Sequence, residues 1–234
     1  MFGGTTVGEM VEFPSNGQKA SGYLATPSSG AGPGVVVIQE YWGLMPEIKA
    51  YCDQLAGEGF TALAVDLYHG ETTREPDEAG KKMMALQLDR ARKEMSGAVS
   101  WLLQGDRARG DGVGVVGFCM GGGLAYLLAT DRPEVRACVA YYGVIAWPGV
   151  KADFGRSRAA FLAHYGDKDA FCSREMVDAL EQQIASAGRR VEFHHYPGLD
   201  HAFANEVRPE VYNAEAAQLA WDRTRAFLRQ HLAE

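Results

Sequence analysis

The sequence has no run of 18 apolar residues, so it lacks a stretch long enough to cross a bilayer as a helix. It has no basic excess either: 23 Lys and Arg stand against 30 Asp and Glu, for a formal charge of −7. That balance argues against nucleic acid or an anionic membrane as a partner. Cysteine is sparse. Cys52, Cys119, Cys138 and Cys172 form no CxxC pair and have no zinc-ligand spacing, and the chemistry expected of the residues below requires neither a metal nor an organic cofactor. Isolated thiols of this kind fit a reducing cytoplasm. The opening residues, Met1 to Thr6, lack a basic start followed by an apolar core, and no secretion signal is read there. There is no repeat, low-complexity tract or interdomain linker, so residues 1–234 are expected to form one domain.

What is present is an alternation of strand and helix patterns. Residues 7–13 and 18–26 read as a hairpin around Pro14-Ser15-Asn16-Gly17. Val35 to Glu40 is apolar until its end, as a strand covered on both faces would be. A helix over 46–58 follows, with Cys52 on the apolar face of Ile48, Tyr51 and Leu55, and then a strand over 61–68. A loop at about 69–77 precedes one long or two short helices ending near Gly105. Further strands are expected at 113–116, 137–142, 158–165 and 191–196, with helices at 121–129, 173–187 and 213–232. This order implies one doubly wound, mostly parallel sheet with helices on both faces and an antiparallel N-terminal hairpin, an α/β class.

The chain is organised around Gly117-Phe118-Cys119-Met120-Gly121, where a buried strand turns sharply into a packed helix. This is the nucleophile-elbow pattern with sulfur in place of the usual serine oxygen. A cysteine there stands at a helix N-terminus, where free N–H groups and the helix dipole favour negative charge. Sheets of this kind carry function on loops at the carboxyl ends of their strands. Two such loops hold a carboxylate and an imidazole: Gly166-Asp167-Lys168-Asp169 and Pro197-Gly198-Leu199-Asp200-His201. In the order nucleophile, acid, base, Asp169 would orient His201, and His201 would move the proton. Asp167 is the rival carboxylate, with turn formation as its alternative role. His69 lies at the correct sheet end to line a pocket, whereas His194 and His195 fall within a strand.

These residues, together with Gln39-Glu40-Tyr41-Trp42-Gly43, Asp66-Leu67-Tyr68 and His201-Ala202-Phe203, resemble the dienelactone hydrolase family of the α/β-hydrolase superfamily over nearly the whole chain. The resemblance implies a Cys119–Asp169–His201 triad and a Glu40 that accepts the thiol proton; a surface ion pair is the other reading of Glu40. It also implies an oxyanion hole from the backbone N–H groups of Tyr41 and Met120, and a small ester or lactone substrate cleaved by a monomer or weak homodimer. Family members that act on dienelactone hold its carboxylate with arginines, one of them four residues after the histidine. Here that position is Asn205. Arg208 and Lys81 are candidate cations, and Trp42, Trp147 and Phe203 are candidates for an apolar wall.

Overall fold

The computed structural model describes residues 7–232. The opening segment, read as carrying no signal, lies outside them. Strands β1 (Glu9–Ser15), β2 (Gln18–Ala25), β3 (Pro33–Ile38), β4 (Thr61–Val65), β5 (Arg109–Phe118), β6 (Val135–Tyr141), β7 (Ala160–Gly166) and β8 (Val191–Tyr196) form a single sheet in the order 1-2-4-3-5-6-7-8. β1 and β2 pair antiparallel, as do β2 and β4, and every pairing from β4 through β8 is parallel. The hairpin turn uses Asn16 and Gly17, both at positive φ, which matches the twist of the flanking strands.

Alternation along the parallel strands divides the core into two. Val36 and Ile38 point into one layer, together with Leu63, Val115 and Cys138. There they meet α3 (Leu88–Leu103), α4 (Met120–Asp131) and α5 (Arg174–Ser186) through Met95, Val99, Leu124 and Ile184. Val35, Val37, Val116 and Val139 point the other way, onto α1 (Pro46–Gly57) and α6 (Ala214–Leu232) through Leu55, Trp221 and Leu228. Burying each such side chain contributes about 1.5–3 kcal/mol. The α4 helix is apolar all round and buried all round, which suits an element enclosed on every side.

Several expected boundaries move, each for a local reason. β3 stops at Ile38, so Gln39 and Glu40 leave the ladder; the Gln39 side chain instead accepts from the Leu67 N–H at 3.1 Å, joining two strand ends. β4 stops at Val65 because Asp66 turns the chain, its carboxylate accepting from the N–H groups of Tyr68 (3.3 Å) and Gly70 (2.6 Å). The 69–104 region resolves into α2 (Pro76–Ala85) and α3, separated where Leu86 leaves the helical range and Gln87 adopts extended backbone. β7 begins at Ala160, since a short 3-10 turn over Phe154–Arg156 precedes it.

Candidate active site

The strand β5 and the helix α4 approach so closely at the elbow that a side chain on Gly117 would overlap the Gly121 carbonyl, and one on Gly121 would overlap the carbonyl oxygens of Ile38 and Gln39 at the end of β3. Between them Cys119 is held at φ 53°, ψ −117°, a conformation costing about 1–3 kcal/mol for a non-glycine residue. Packing enforces it: the Cys119 N–H donates to the Tyr141 carbonyl at 3.0 Å, and its own carbonyl accepts from Gly122 at 3.0 Å. The sulfur therefore sits at the head of α4. The N–H of Met120, in the helix's first turn, has no intrahelical acceptor.

Asp169 lies in the turn after β7 with its side chain buried. Its Oδ1 accepts from the N–H groups of Phe171 (2.8 Å) and Cys172 (2.9 Å), and its Oδ2 lies 2.7 Å from His201 Nδ1. Asp167 does something else, accepting from the Gly198 N–H at 2.6 Å and tying the two loops together. Burial opposes protonation of His201, but hydrogen bonds to Asp169, Cys119 and Cys172 outweigh it and push the imidazole up to about 12. The imidazole is thus bonded to a carboxylate and feels the elbow sulfur electrostatically.

Glu40 is 3% exposed, not a surface ion-pair partner. Asn205 Nδ2 donates to one of its oxygens at 2.9 Å, and the Tyr142 hydroxyl to the other at 3.4 Å. Burial, the largest cause, pushes the carboxyl up to about 7; Glu47 adds to this, while His201, Asn205 and Arg208 oppose it. Asn205 thus donates an amide hydrogen bond at the position where the resemblance implies arginine. Glu40 also forms part of the wall of a cavity of about 320 Å³, shared with Tyr51, Phe118, Tyr142, Asn205 and Trp221.

The remaining candidates divide. Tyr41 and Trp42 are half-buried beside Glu40, with ring centroids 4.2 Å apart. Arg208 is half-buried, and its guanidinium pairs with Glu210 at 2.8 Å. Lys81 is exposed on α2, while its neighbour Lys82 pairs with Glu71. Lys82 and His69 line a separate cavity, in which His69 Nε2 lies 2.9 Å from Glu94. Phe203 and Trp147 do not form a wall at the mouth. Both are buried: Phe203 packs on Tyr142 and Tyr196, and Trp147 joins the core on the α4 side of the sheet. An apolar side chain on a loop gains more from filling the core than from facing water.

Three residues at the site escaped the sequence reading. Tyr142, at φ 39° just past β6, sets its ring edge-on to His201 at 5.1 Å; its place at a strand's carboxyl end was the available signal. Cys172 donates from sulfur to the Tyr142 carbonyl at 3.3 Å and lies against His201. Phe171 is 73% exposed with its ring 5.0 Å from that of His201, and no local pattern marks it. It presents an exposed apolar surface beside His201. Phe171→Ala should raise KM for p-nitrophenyl esters about three- to ten-fold, the equivalent of losing one aromatic contact, with little change in thermal stability. Steady-state kinetics on an aromatic and a methyl ester would check this, since only the former should respond.

The sequence profile of the dienelactone hydrolase family matches residues 20–232. Protein usf of Aquifex pyrophilus is 38% identical, with 97% of this chain and 100% of the relative covered. An Aquifex aeolicus protein provisionally named carboxymethylenebutenolidase is 35% identical over 97% of this chain and all of its own length. A Bradyrhizobium protein, provisionally a 2-oxo-3-(5-oxofuran-2-ylidene)propanoate lactonase, is 33% identical, covering 96% and 94%. Among solved structures, a provisionally named dienelactone hydrolase from Klebsiella pneumoniae superposes with a TM-score of 0.86 at 27% identity, covering 96% of this chain and 98% of its own.

Proposed function

The chain belongs to the dienelactone hydrolase family, and from that premise we propose that it cleaves small esters or lactones through a Cys119 thioester. The observation that carries the reading is His201, bonded to Asp169 at 2.7 Å and electrostatically coupled to Cys119 at the head of α4. In the proposed cycle the Cys119 thiol loses its proton to Glu40, His201 being already protonated, and the sulfur attacks the substrate carbonyl. The N–H groups of Met120 and Tyr41 receive the oxyanion, an interaction worth about 3 kcal/mol per donor. Collapse breaks the carbon–oxygen bond, and His201 gives its proton to the departing oxygen. Water then attacks the thioester with His201 as base, releasing the acid and restoring the thiol.

Asn205 and the Arg208–Glu210 pair bear on substrate choice. With an amide at 205 and a paired guanidinium at 208, the reading favours neutral or weakly anionic, partly apolar acyl groups over a strongly held carboxylate. A broad carboxylesterase or thioesterase is the second reading, favoured by the same pair of observations. The reading takes the catalyst to be a monomer or weak homodimer in a reducing cytoplasm, a setting that its four free thiols suit.

Rapid quench with a p-nitrophenyl ester followed by peptide mass spectrometry tests the mechanism. An acyl adduct on the peptide bearing Cys119 is expected, and an adduct on any other side chain would overturn it. A panel of enol lactones, p-nitrophenyl esters and thioesters, compared by kcat/KM, separates the two substrate readings.

A further inference from the structure

Cys172 has no part in the cycle above, yet its thiol lies in the innermost layer of the site. Among the described residues, one group of side chains could hold a metal ion: Asp169, Cys172 and His201, each with one ligand atom and all three atoms within 4.8 Å of one another. Asp169 and Cys172 are buried, and the His201 side chain is 13% exposed. The ring edge of His201 is therefore the way in.

We propose that these three residues form an inhibitory site for a thiophilic divalent cation, Zn2+ above all, which shuts the enzyme down by taking its acid–base pair. The donor set is one thiolate, one carboxylate and one imidazole, a combination that zinc accepts in tetrahedral geometry and that hard cations such as Mg2+ do not. Zinc bonds of about 2.0–2.3 Å place neighbouring ligand atoms roughly 3.3–3.7 Å apart. The Asp169–His201 distance of 2.7 Å would open slightly, and the remaining separations, none above 4.8 Å, would close by an ångström or so.

Charge also closes. Binding displaces the proton on His201 Nδ1 and the proton on Cys172 Sγ, so two protons leave as one dication enters. The bound set of Zn2+, one carboxylate, one thiolate and a neutral imidazole then carries no net charge, which a buried location demands. The Tyr142 carbonyl, already accepting from Cys172 Sγ at 3.3 Å, or a water molecule is available for the fourth position. Once the metal holds Nδ1, Asp169 no longer orients the ring and His201 cannot cycle its proton. Turnover stops while Cys119 stays free.

Inhibition rests on the triad reading of the preceding section, so the test has a second arm that does not. Added ZnCl2 should inhibit ester hydrolysis, reversibly on adding EDTA. Measured against each variant's own zinc-free rate, Cys172→Ala and Cys172→Ser should need at least about ten-fold more Zn2+ for half inhibition. The serine variant keeps a hydroxyl able to donate to Tyr142 and guards against a folding defect. In Cys119→Ala, which has no turnover to follow, Co2+ should give a near-ultraviolet thiolate-to-cobalt band that disappears when Cys172 is also replaced. Equal zinc sensitivity of wild type and both Cys172 variants would overturn the site, as would absence of the cobalt band in Cys119→Ala. A cobalt band without zinc inhibition would keep the metal site and sink the catalytic role of the pair instead.

Discussion

Cys119→Ala is expected to lose about 10⁴-fold or more in kcat/KM toward p-nitrophenyl esters while keeping its fold. The loss follows from the geometry: Cys119 occupies the head of α4, with the Met120 N–H next in the chain, and is electrostatically coupled to His201. The residual rate would come from the oxyanion donors and binding alone. Stability should change little, because alanine at φ 53° carries the same backbone strain as cysteine and the lost atom is only half-buried. Calorimetry and the quench experiment together check both halves. A variant that retains wild-type turnover would remove Cys119 as nucleophile, and one that unfolds would show that the elbow thiol also holds the loop.

Glu40→Gln should move stability and activity in opposite directions. Burial raises the folded-state pKa of Glu40 from 4.5 to about 7, so between those values the folded protein binds a proton that the unfolded chain releases. The stabilising contribution of the protonated carboxyl is therefore complete below about pH 4.5 and is lost as pH rises through 7. By pH 8 an ionised Glu40 costs about 3 kcal/mol, an order-of-magnitude figure from the size of the shift. Glutamine carries no such penalty and keeps a carbonyl to accept from Asn205 and an amide group toward Tyr142. The variant should melt about 6–10 °C higher than wild type at pH 8 and at nearly the same temperature at pH 4. The groups that set this balance are Glu47, His201, Arg208 and Asn205, and the substitution leaves all four in place.

Activity should fall by about 10²–10⁴-fold in the same variant, since glutamine cannot accept the thiol proton. Melting curves at the two pH values, paired with kcat/KM, give the test. A melting gap that stays constant from pH 4 to pH 8 would mean that Glu40 is not titrating near 7 in the folded protein. A gap that grows with pH while activity is retained would leave Glu40 buried and perturbed but outside the proton path.

The elbow was legible because everything about it is local. Val113 to Val116, the glycines at 117 and 121 and the apolar run after Cys119 lie within the 17 residues from Val113 to Ala129, and a strand–turn–helix with a strained centre is what that string builds. Asp169 and His201 were legible for a related reason: each follows a strand of a parallel sheet, and such sheets bring the ends of their strands together. The sequence reading preferred Asp169 to Asp167, and the turn directs one carboxylate to Gly198 and the other to His201.

By itself the sequence determined the order of elements, the parallel sheet and the chemical types at its functional end, since hydrophobic period and glycine placement act over a few residues. Only the tertiary structure decided how those groups are charged and what surrounds them. The Glu40–Asn205 hydrogen bond joins positions 165 residues apart, and the burial that raises the glutamate exists only once α1, α6 and the 202–213 loop have closed over it. The same holds for Phe203 turning inward, Phe171 staying out and Cys172 settling against His201. Solvation and electrostatic environment are set by all the neighbours at once, and no stretch of chain carries that information alone.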